Sequence, residues 1–454
     1  MKKNITICLL CFIGFWIVFL AMQNKTVYFN TLGKISSNYY FMEDGNRGKE
    51  KKTFEKIADE NMLHWDGEHF FAINEKGYSA NEEYRFAFFP LFPFIWKLTT
   101  LSPSNVIFLN FFMFACGLLI LAYLFKQKWK NVLVILSLPM FVVFLIPYTE
   151  ATFFLMFSIA VLGYMKDKYW LYFIAMALAS LSRNTILFVF PAIICVEILF
   201  FIKERNLRQS LIRTSLGSLP VLIGTAILSL IQYFSGSGSI FKFLESQKYW
   251  GHKFSFPNFM NLHDWSYESF VINVPTLIMI GIPLSIFLLY ITLRQLNTIK
   301  KDIPFLSFSS ENKLDYLNLV IIFCSMAAFA SIVLFRGGGL FGLSRFLLCS
   351  PYFVLLLFLN QEKLLSITSY KRVITFLLLA LYSFTILILC NYLAYFGFHY
   401  LGFFIFVSTM ALYLFKDTKQ KLIYKVFLIG TGILNILWTT YLFNMFLCNG
   451  WLYT

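Results

Sequence analysis

Apolar runs of about 20 residues, each able to cross ~30 Å of hydrocarbon as a helix, recur along nearly all of this 454-residue chain. No other feature restricts the fold so strongly. In lipid every backbone polar group must be satisfied internally, so only helices and closed barrels span a bilayer. Barrel strands would alternate apolar and polar residues in short segments, and these runs do not. The expected fold is all-α, a polytopic transmembrane helical bundle. Composition agrees: 13% of the residues are charged, against about 25% in a soluble domain.

Lys2-Lys3 precede an apolar run to about Ala21, long for a signal peptide and with no small-residue cleavage site after it. It is expected to be a retained helix with its N-terminus in the cytoplasm. Further spans are expected at 104–125, 131–147, 150–165, 169–182, 185–202, 214–234, 271–293, 316–335, 346–360, 373–391, 399–415 and 425–446. That makes about 13 helices in a single domain over residues 1–454, with no internal repeat and no soluble domain.

Charge orients the bundle. Lys126 to Lys128, Lys166 to Lys168, Lys203 to Arg205, Arg294 to Lys301, Lys363 to Arg372 and Lys416 to Lys421 all fall on the side of Lys2-Lys3. This is the positive-inside pattern of a cell membrane protein. It accounts for the net charge of +15 without a nucleic-acid partner. The eight cysteines sit almost entirely in apolar runs, where they act as small apolar residues, and none shows zinc-type spacing.

Two extracytoplasmic segments exceed a connector: 23–103 and 235–270. The first holds His64-Trp65-Asp66-Gly67-Glu68-His69. From Thr53 it becomes amphipathic, with Met62, Trp65, His69, Ala72 and Ile73 on one helical face, suited to lie in the interface plane. Phe86 to Leu98 is apolar but broken by Pro90 and Pro93, as in an interfacial or re-entrant element. The second segment opens with Ser235-Gly236-Ser237-Gly238-Ser239 and is rich in aromatics.

The polar residues that suggest chemistry map to the same side: Asp66 and His69, Tyr148-Thr149-Glu150, Ser182-Arg183-Asn184, then Gln247, Trp250 and His252, and Arg345 after Gly337-Gly338-Gly339. Ionisable groups at membrane depth are costly and usually functional. Five segments on one leaflet imply an outward-facing cavity. Each residue also has a structural reading. Asp66 and His69 could belong to an interfacial helix surface, and Glu150 could cap a helix N-terminus. The arginines could snorkel to headgroups, and Trp250 could join the aromatic belt. The glycine run reads as a turn, since no Gly-Lys-Ser/Thr follows. Together, a carboxylate, arginines and a lipid-facing cavity suggest group transfer from a lipid phosphate. A carboxylate takes a proton from an acceptor hydroxyl, and arginine pairs bidentately with phosphate.

Trp65-Asp66-x-x-His69, Ala72-Ile73, Gly77-Tyr78 and Ala87-Phe88-Phe89-Pro90-Leu91-Phe92-Pro93 resemble the signature of PIG-V-type mannosyltransferases, of the GT-C class of integral-membrane glycosyltransferases. Tyr148-Thr149-Glu150 resembles that family's Tyr-Ser/Thr-Glu element. Ser182-Arg183-Asn184 resembles its Arg-Ser-Asn-Gly element, shifted by one residue and without the glycine. Gly238 to Phe243 with Gln247 and Trp250, and Ser344-Arg345-Phe346 with Pro351, are similar to elements of bacterial members. The resemblance covers about residues 60–360. It implies a GT-C-like fold, a polyprenyl-phosphate-linked hexose (mannose) donor, inversion at the anomeric carbon and Asp66 at the active centre. Arg183 and Arg345 become the candidate donor-phosphate partners. Trp65, His69, Glu150, Gln247 and Trp250 would shape the sugar and acceptor pocket. No metal ligand set or cofactor is assigned; the lipid-linked sugar is a substrate, and the acceptor would be an extracytoplasmic glycan, glycolipid or protein. Two other classes stay open: a lipid-linked-glycan flippase, and an envelope-glycan polymerase or ligase.

Overall fold

The computed structural model describes residues 2–23, 56–127, 129–256, 276–299, 310–336, 339–340, 342–365, 408–409, 421–449 and 452, and no strand occurs among them. The expected span at 373–391 lies outside the described residues, as does 399–415 apart from 408–409. The same holds for 24–55 of the first long segment and 257–270 of the second.

The long helices are α1 (Lys2–Met22), then α2 (Asp66–Lys76) and α3 (Leu91–Thr99) in the first long segment. They continue with α4 (Val106–Leu124), α5 (Trp129–Leu136), α6 (Glu150–Met165), α7 (Tyr169–Ser180), α8 (Val189–Glu204) and α9 (Leu207–Gln232). The last four are α10 (Ile282–Ile299), α11 (Ser310–Phe335), α12 (Pro351–Leu365) and α13 (Lys421–Leu447). Among the described residues, six helical segments are long and apolar enough to cross a membrane: Ile5–Met22, Pro103–Leu124, Asn184–Ile202, Leu207–Ser237, Lys313–Phe335 and Lys425–Leu447. This is the architecture of a helical membrane protein.

Among the described helices, three packed groups stand out. α4 lies on α6, α6 on α7, and α7 on α9. α11 joins α8 to α12, and α1 bridges α13 and α5. α6 and α7 form a tight hairpin, because a Cβ on Gly163 would collide with the backbone nitrogen of Tyr172. At about 1.5 Å per residue the 16 residues of α6 rise only about 24 Å and the 12 of α7 about 18 Å. The hairpin therefore sets Glu150 and Ser182-Arg183 at one end of the bundle and Lys166 to Lys168 at the other.

Two expectations are corrected. Residues 131–147 are not one span. α5 ends at Leu136, Pro139 follows, and a 3₁₀ turn (Phe141–Phe144) leads to Pro147. Proline lacks the donor a continuing helix needs. Irregular backbone at membrane depth is tolerated only inside protein, and this stretch is almost wholly buried. Its carbonyls find side-chain donors: Trp438 Nε1 donates to Pro139 O at 3.2 Å, Cys349 Sγ to Met140 O at 3.4 Å, and Asn110 Nδ2 to Ile146 O. The second correction concerns the face of the first-segment helix. α2 starts only at Asp66 and buries Gly67, Phe70, Ile73 and Asn74. Met62 belongs to a separate 3₁₀ turn, and Trp65 stands outside the helix, exposed. α3 is short and lies with Leu91, Phe92 and Trp96 buried, while Phe94 and Leu98 are exposed, as an interfacial element requires.

Candidate active site

The chain before Asp66 is bent into place. Trp65 has φ 55° and ψ −130°, a conformation that a side chain rarely adopts and that costs about 1–3 kcal/mol. Close packing holds it there. A Cβ on Gly67 would stand 2.8 Å from Pro147 Cγ and 3.3 Å from Met62 O, so only glycine lets α2 settle on the proline corner. That corner also carries Tyr148 and Glu150. Asp66 is thereby set beside the start of α6.

Glu150 is the centre of a buried ion cluster. Arg183 Nη1 lies 2.6 Å from its Oε1, as an ion pair rather than an aligned hydrogen bond. Arg345 Nε donates to the same oxygen, and Arg345 Nη2 reaches Asp66 Oδ2 at 2.8 Å. Glu150 Oε2 meets no donor among the described residues. The two carboxylates differ in access. The Asp66 side chain is 29% exposed and that of Glu150 2%. Asp66 faces a cavity of about 660 Å³; Glu150 lies behind it.

That cavity draws together most of the residues expected from the sequence. Trp65, Asp66, Arg183, Gln247, Trp250 and Arg345 all line it. His69 stands behind the wall, its ring against Phe88 at 4.7 Å and Trp250 at 5.1 Å. Burial holds its imidazole below the usual histidine range, although Asp66 and Glu68 pull the other way. Among the described residues no three His, Cys, Asp or Glu side chains come together as a metal-binding group.

The second long segment closes over the first at Glu83. Lys242 Nζ donates to Glu83 Oε2 at 2.7 Å, Tyr249 Oη to the same oxygen at 2.8 Å, and Ser246 Oγ to Glu83 O at 2.7 Å. Trp250 Nε1 adds a bond to Tyr84 O at 3.2 Å. The lysine and tyrosine bonds hold the Glu83 carboxyl below the usual range. This seam places Gln247 and His252 on the cavity wall, His252 Nδ1 lying 2.6 Å from Gln247 Oε1.

Three contributors were not foreseen as site residues. Arg336 lines the cavity just past α11 and has no carboxylate within ion-pair distance among the described residues. Its only sequence signal was an arginine at the end of an apolar run before three glycines. Phe346, quoted above only as part of a motif, sits amid the cations, with the guanidinium carbons of Arg336, Arg183 and Arg345 at 4.3, 4.6 and 5.2 Å from its ring centroid. Cations over a phenyl face gain about 0.5–2 kcal/mol each. The third is the C-terminal region: Phe446 of α13 packs on Tyr148, and Leu452 lines the cavity. Nothing in the sequence signalled it.

No protein-family model, curated protein or solved structure matches this chain. The resemblance to PIG-V-type mannosyltransferases thus stands on its motifs alone.

Proposed function

We propose that this protein is an integral-membrane glycosyltransferase of GT-C type that transfers a hexose, by its motifs mannose, from a polyprenyl-phosphate donor to an extracytoplasmic acceptor. The observation that carries this reading is the juxtaposition of one accessible carboxylate, Asp66, with the guanidinium groups of Arg183, Arg336 and Arg345 in a single cavity at one end of the helices. The Lys/Arg-rich loops at the other end orient the cavity outward.

In this reading Asp66 is the base. Its Oδ1 takes the proton of the acceptor hydroxyl, the hydroxyl oxygen attacks the anomeric carbon, and the bond from that carbon to the phosphate oxygen breaks. Attack from the face opposite the phosphate inverts the centre. Charge moves in step: Asp66 becomes neutral as the lipid phosphate gains a negative charge. Arg345, bonded to Asp66 before the step, then has a guanidinium edge to offer the phosphate, with Arg183 beside it. Glu150 is too deeply paired to meet a hydroxyl and instead fixes both arginines. Trp65, Trp250 and Gln247 give the sugar apolar faces and an amide to bond.

The broken segment 129–147 is the one observation that favours a lipid-linked-glycan flippase, since transporters use discontinuous helices. A flippase would place its ionisable groups in that break, but the only charged residue between 129 and 147 is Lys130. The experiment is a transfer assay with purified protein in nanodiscs. Turnover is expected with a polyprenyl-phosphate hexose. Equal turnover with a nucleotide sugar and no lipid carrier would refute the reading.

A further inference from the structure

The second long segment reaches the cavity through a turn built around one amide. A 3₁₀ turn (Ser246–Trp250) is stopped by Gly251, whose φ of 69° lies in the left-handed region that favours glycine. The reversal brings His252 back over Gln247, and His252 N donates to Gln247 O at 3.2 Å. Phe243, one helical turn earlier, is buried against Phe89 with ring centroids 6.0 Å apart. Gln247 Nε2 donates to Phe243 O at 3.1 Å, and Gln247 Oε1 lies 2.6 Å from His252 Nδ1.

These two contacts fix a tautomer. With the amide turned the other way, its oxygen would face the Phe243 carbonyl oxygen with no proton between them. The amide oxygen therefore faces His252, and it accepts only if Nδ1 carries the proton. In a neutral imidazole, a proton on Nδ1 leaves Nε2 as a bare lone pair. Burial first, then Arg336, hold the ring neutral by pushing its pKa down from 6.5 to about 4. Nε2 has no hydrogen-bond partner among the described residues. The ring is half-buried and lines the cavity.

This lone pair differs from its neighbours on the wall. Arg183, Arg336 and Arg345 can only donate. Asp66 accepts, but Arg345 holds one of its oxygens. A bare imidazole nitrogen repels a phosphate or carbonyl oxygen and attracts a hydroxyl.

We propose that His252 is a specificity residue of the cavity: its Nε2 accepts a hydrogen bond from one sugar hydroxyl, and Gln247 is the positioning residue that keeps Nε2 free of a proton. That a sugar occupies the cavity rests on the transferase reading. The hydroxyl belongs either to the donor hexose or to a glycan acceptor, and the test separates the two.

Nitrogen-15 spectra of histidine-labelled, full-length protein in nanodiscs read the tautomer without turnover. At pH 7 the signals lost in His252→Asn should be those of a protonated Nδ1 and a bare Nε2. Gln247→Leu should shift the ring toward the Nε2–H form. Binding is then followed by tryptophan fluorescence with two probes, farnesyl phosphate mannose for the donor and octyl mannoside for an acceptor. Each is compared with its monodeoxy analogues. His252→Asn keeps an amide N–H near the Nδ1 position and removes Nε2; His252→Gln sets its amide oxygen near the Nε2 position and loses the contact to Gln247. His252→Asn should weaken one parent probe about two- to tenfold, the usual worth of an uncharged hydrogen bond. It should cost nothing further for the one analogue that lacks the recognised hydroxyl. His252→Gln should recover part of the loss, whereas a purely structural clip predicts the opposite order. Thermal unfolding of each variant separates binding loss from misfolding. Loss confined to farnesyl phosphate mannose assigns the hydroxyl to the donor, and loss confined to octyl mannoside assigns it to the acceptor. Equal weakening of a parent probe and all its analogues would overturn the inference. So would an Nε2–H signal from His252 in the wild type, or the absence of saturable binding by either probe. Coupling between His252 and one hydroxyl in a protein that transfers no hexose would remove the transferase reading and leave His252 as a sugar contact. Transfer without such coupling would do the reverse.

Discussion

Both ends of the bundle bury ion pairs, yet they are built differently. At the end holding Lys166 to Lys168, the buried cations among the described residues are paired one for one: Arg213 Nε lies 2.9 Å from both carboxylate oxygens of Glu197, and Lys313 pairs with Asp167. The cleft beside them is about 260 Å³ and mostly apolar-walled. At the other end, among the described residues, Arg183 and Arg345 pair with Glu150 and Asp66 while Arg336 has no carboxylate partner, around a cavity of about 660 Å³. A bidentate pair such as Arg213–Glu197 is complete, and its parts could be exchanged for apolar groups of similar volume at little cost. A cluster with a charge left over has no such equivalent. Among the described residues this excess lies at the end where the proposed anionic donor would bind.

The largest difference between the two ends should appear in turnover. Asp66→Asn keeps the shape and much of the bonding to Arg345 but cannot take a proton, so the transfer rate should fall about 10²–10⁴-fold. Binding of the lipid-phosphate donor should persist. Glu197→Gln should instead lower the unfolding temperature and leave the rate per folded molecule unchanged. Folded Asp66→Asn protein with near wild-type transfer would eliminate Asp66 as the base.

Stability should separate the ends next. Replacing both members of the balanced pair, Glu197→Met with Arg213→Met, is expected to be neutral or stabilising by about 1–4 kcal/mol, as found for buried pairs exchanged for apolar residues. The matching exchange at the cavity, Glu150→Met with Arg345→Met, leaves Arg183 buried without its carboxylate and should cost about 3–5 kcal/mol. Thermal unfolding in nanodiscs measures both. Equal responses would show that the charge excess has no structural meaning.

Legibility in the sequence followed the same divide. Apolar run length sufficed for the helical membrane architecture, because bilayer thickness imposes it. Asp66, Glu150, Arg183 and Arg345 could be brought together on paper because loop charge put them at one end. Run length misled at 131–147, where a buried broken segment is as apolar as a span and only Pro139 and Pro147 mark the difference. Arg336 and Phe346 were not legible as site residues, since their importance is a matter of three-dimensional charge balance. The contribution of α13 depends on packing across 299 residues, from Trp438 to Pro139, which no local pattern records.

The smallest expected effect is a pH dependence confined to the cavity end. His252 lies on the cavity wall beside Gln247, and burial first, then the nearby Arg336, push its pKa down from 6.5 to about 4. Released from the wall, the imidazole regains its ordinary value. Between pH 6.5 and about 4 the undocked segment therefore binds a proton that the docked segment refuses, so docking weakens as the pH falls through this window and is fully present above it. Acid also adds positive charge beside Arg336, which has no carboxylate partner among the described residues. Hydrogen exchange over residues 246–252 should accelerate between pH 7 and 5, after correction for intrinsic rates, while residues 164–172 at the balanced end, whose cleft no histidine lines, should not change. His252→Asn should abolish the difference between the two ends. Parallel acceleration at both ends would assign the effect to the whole bundle and not to His252.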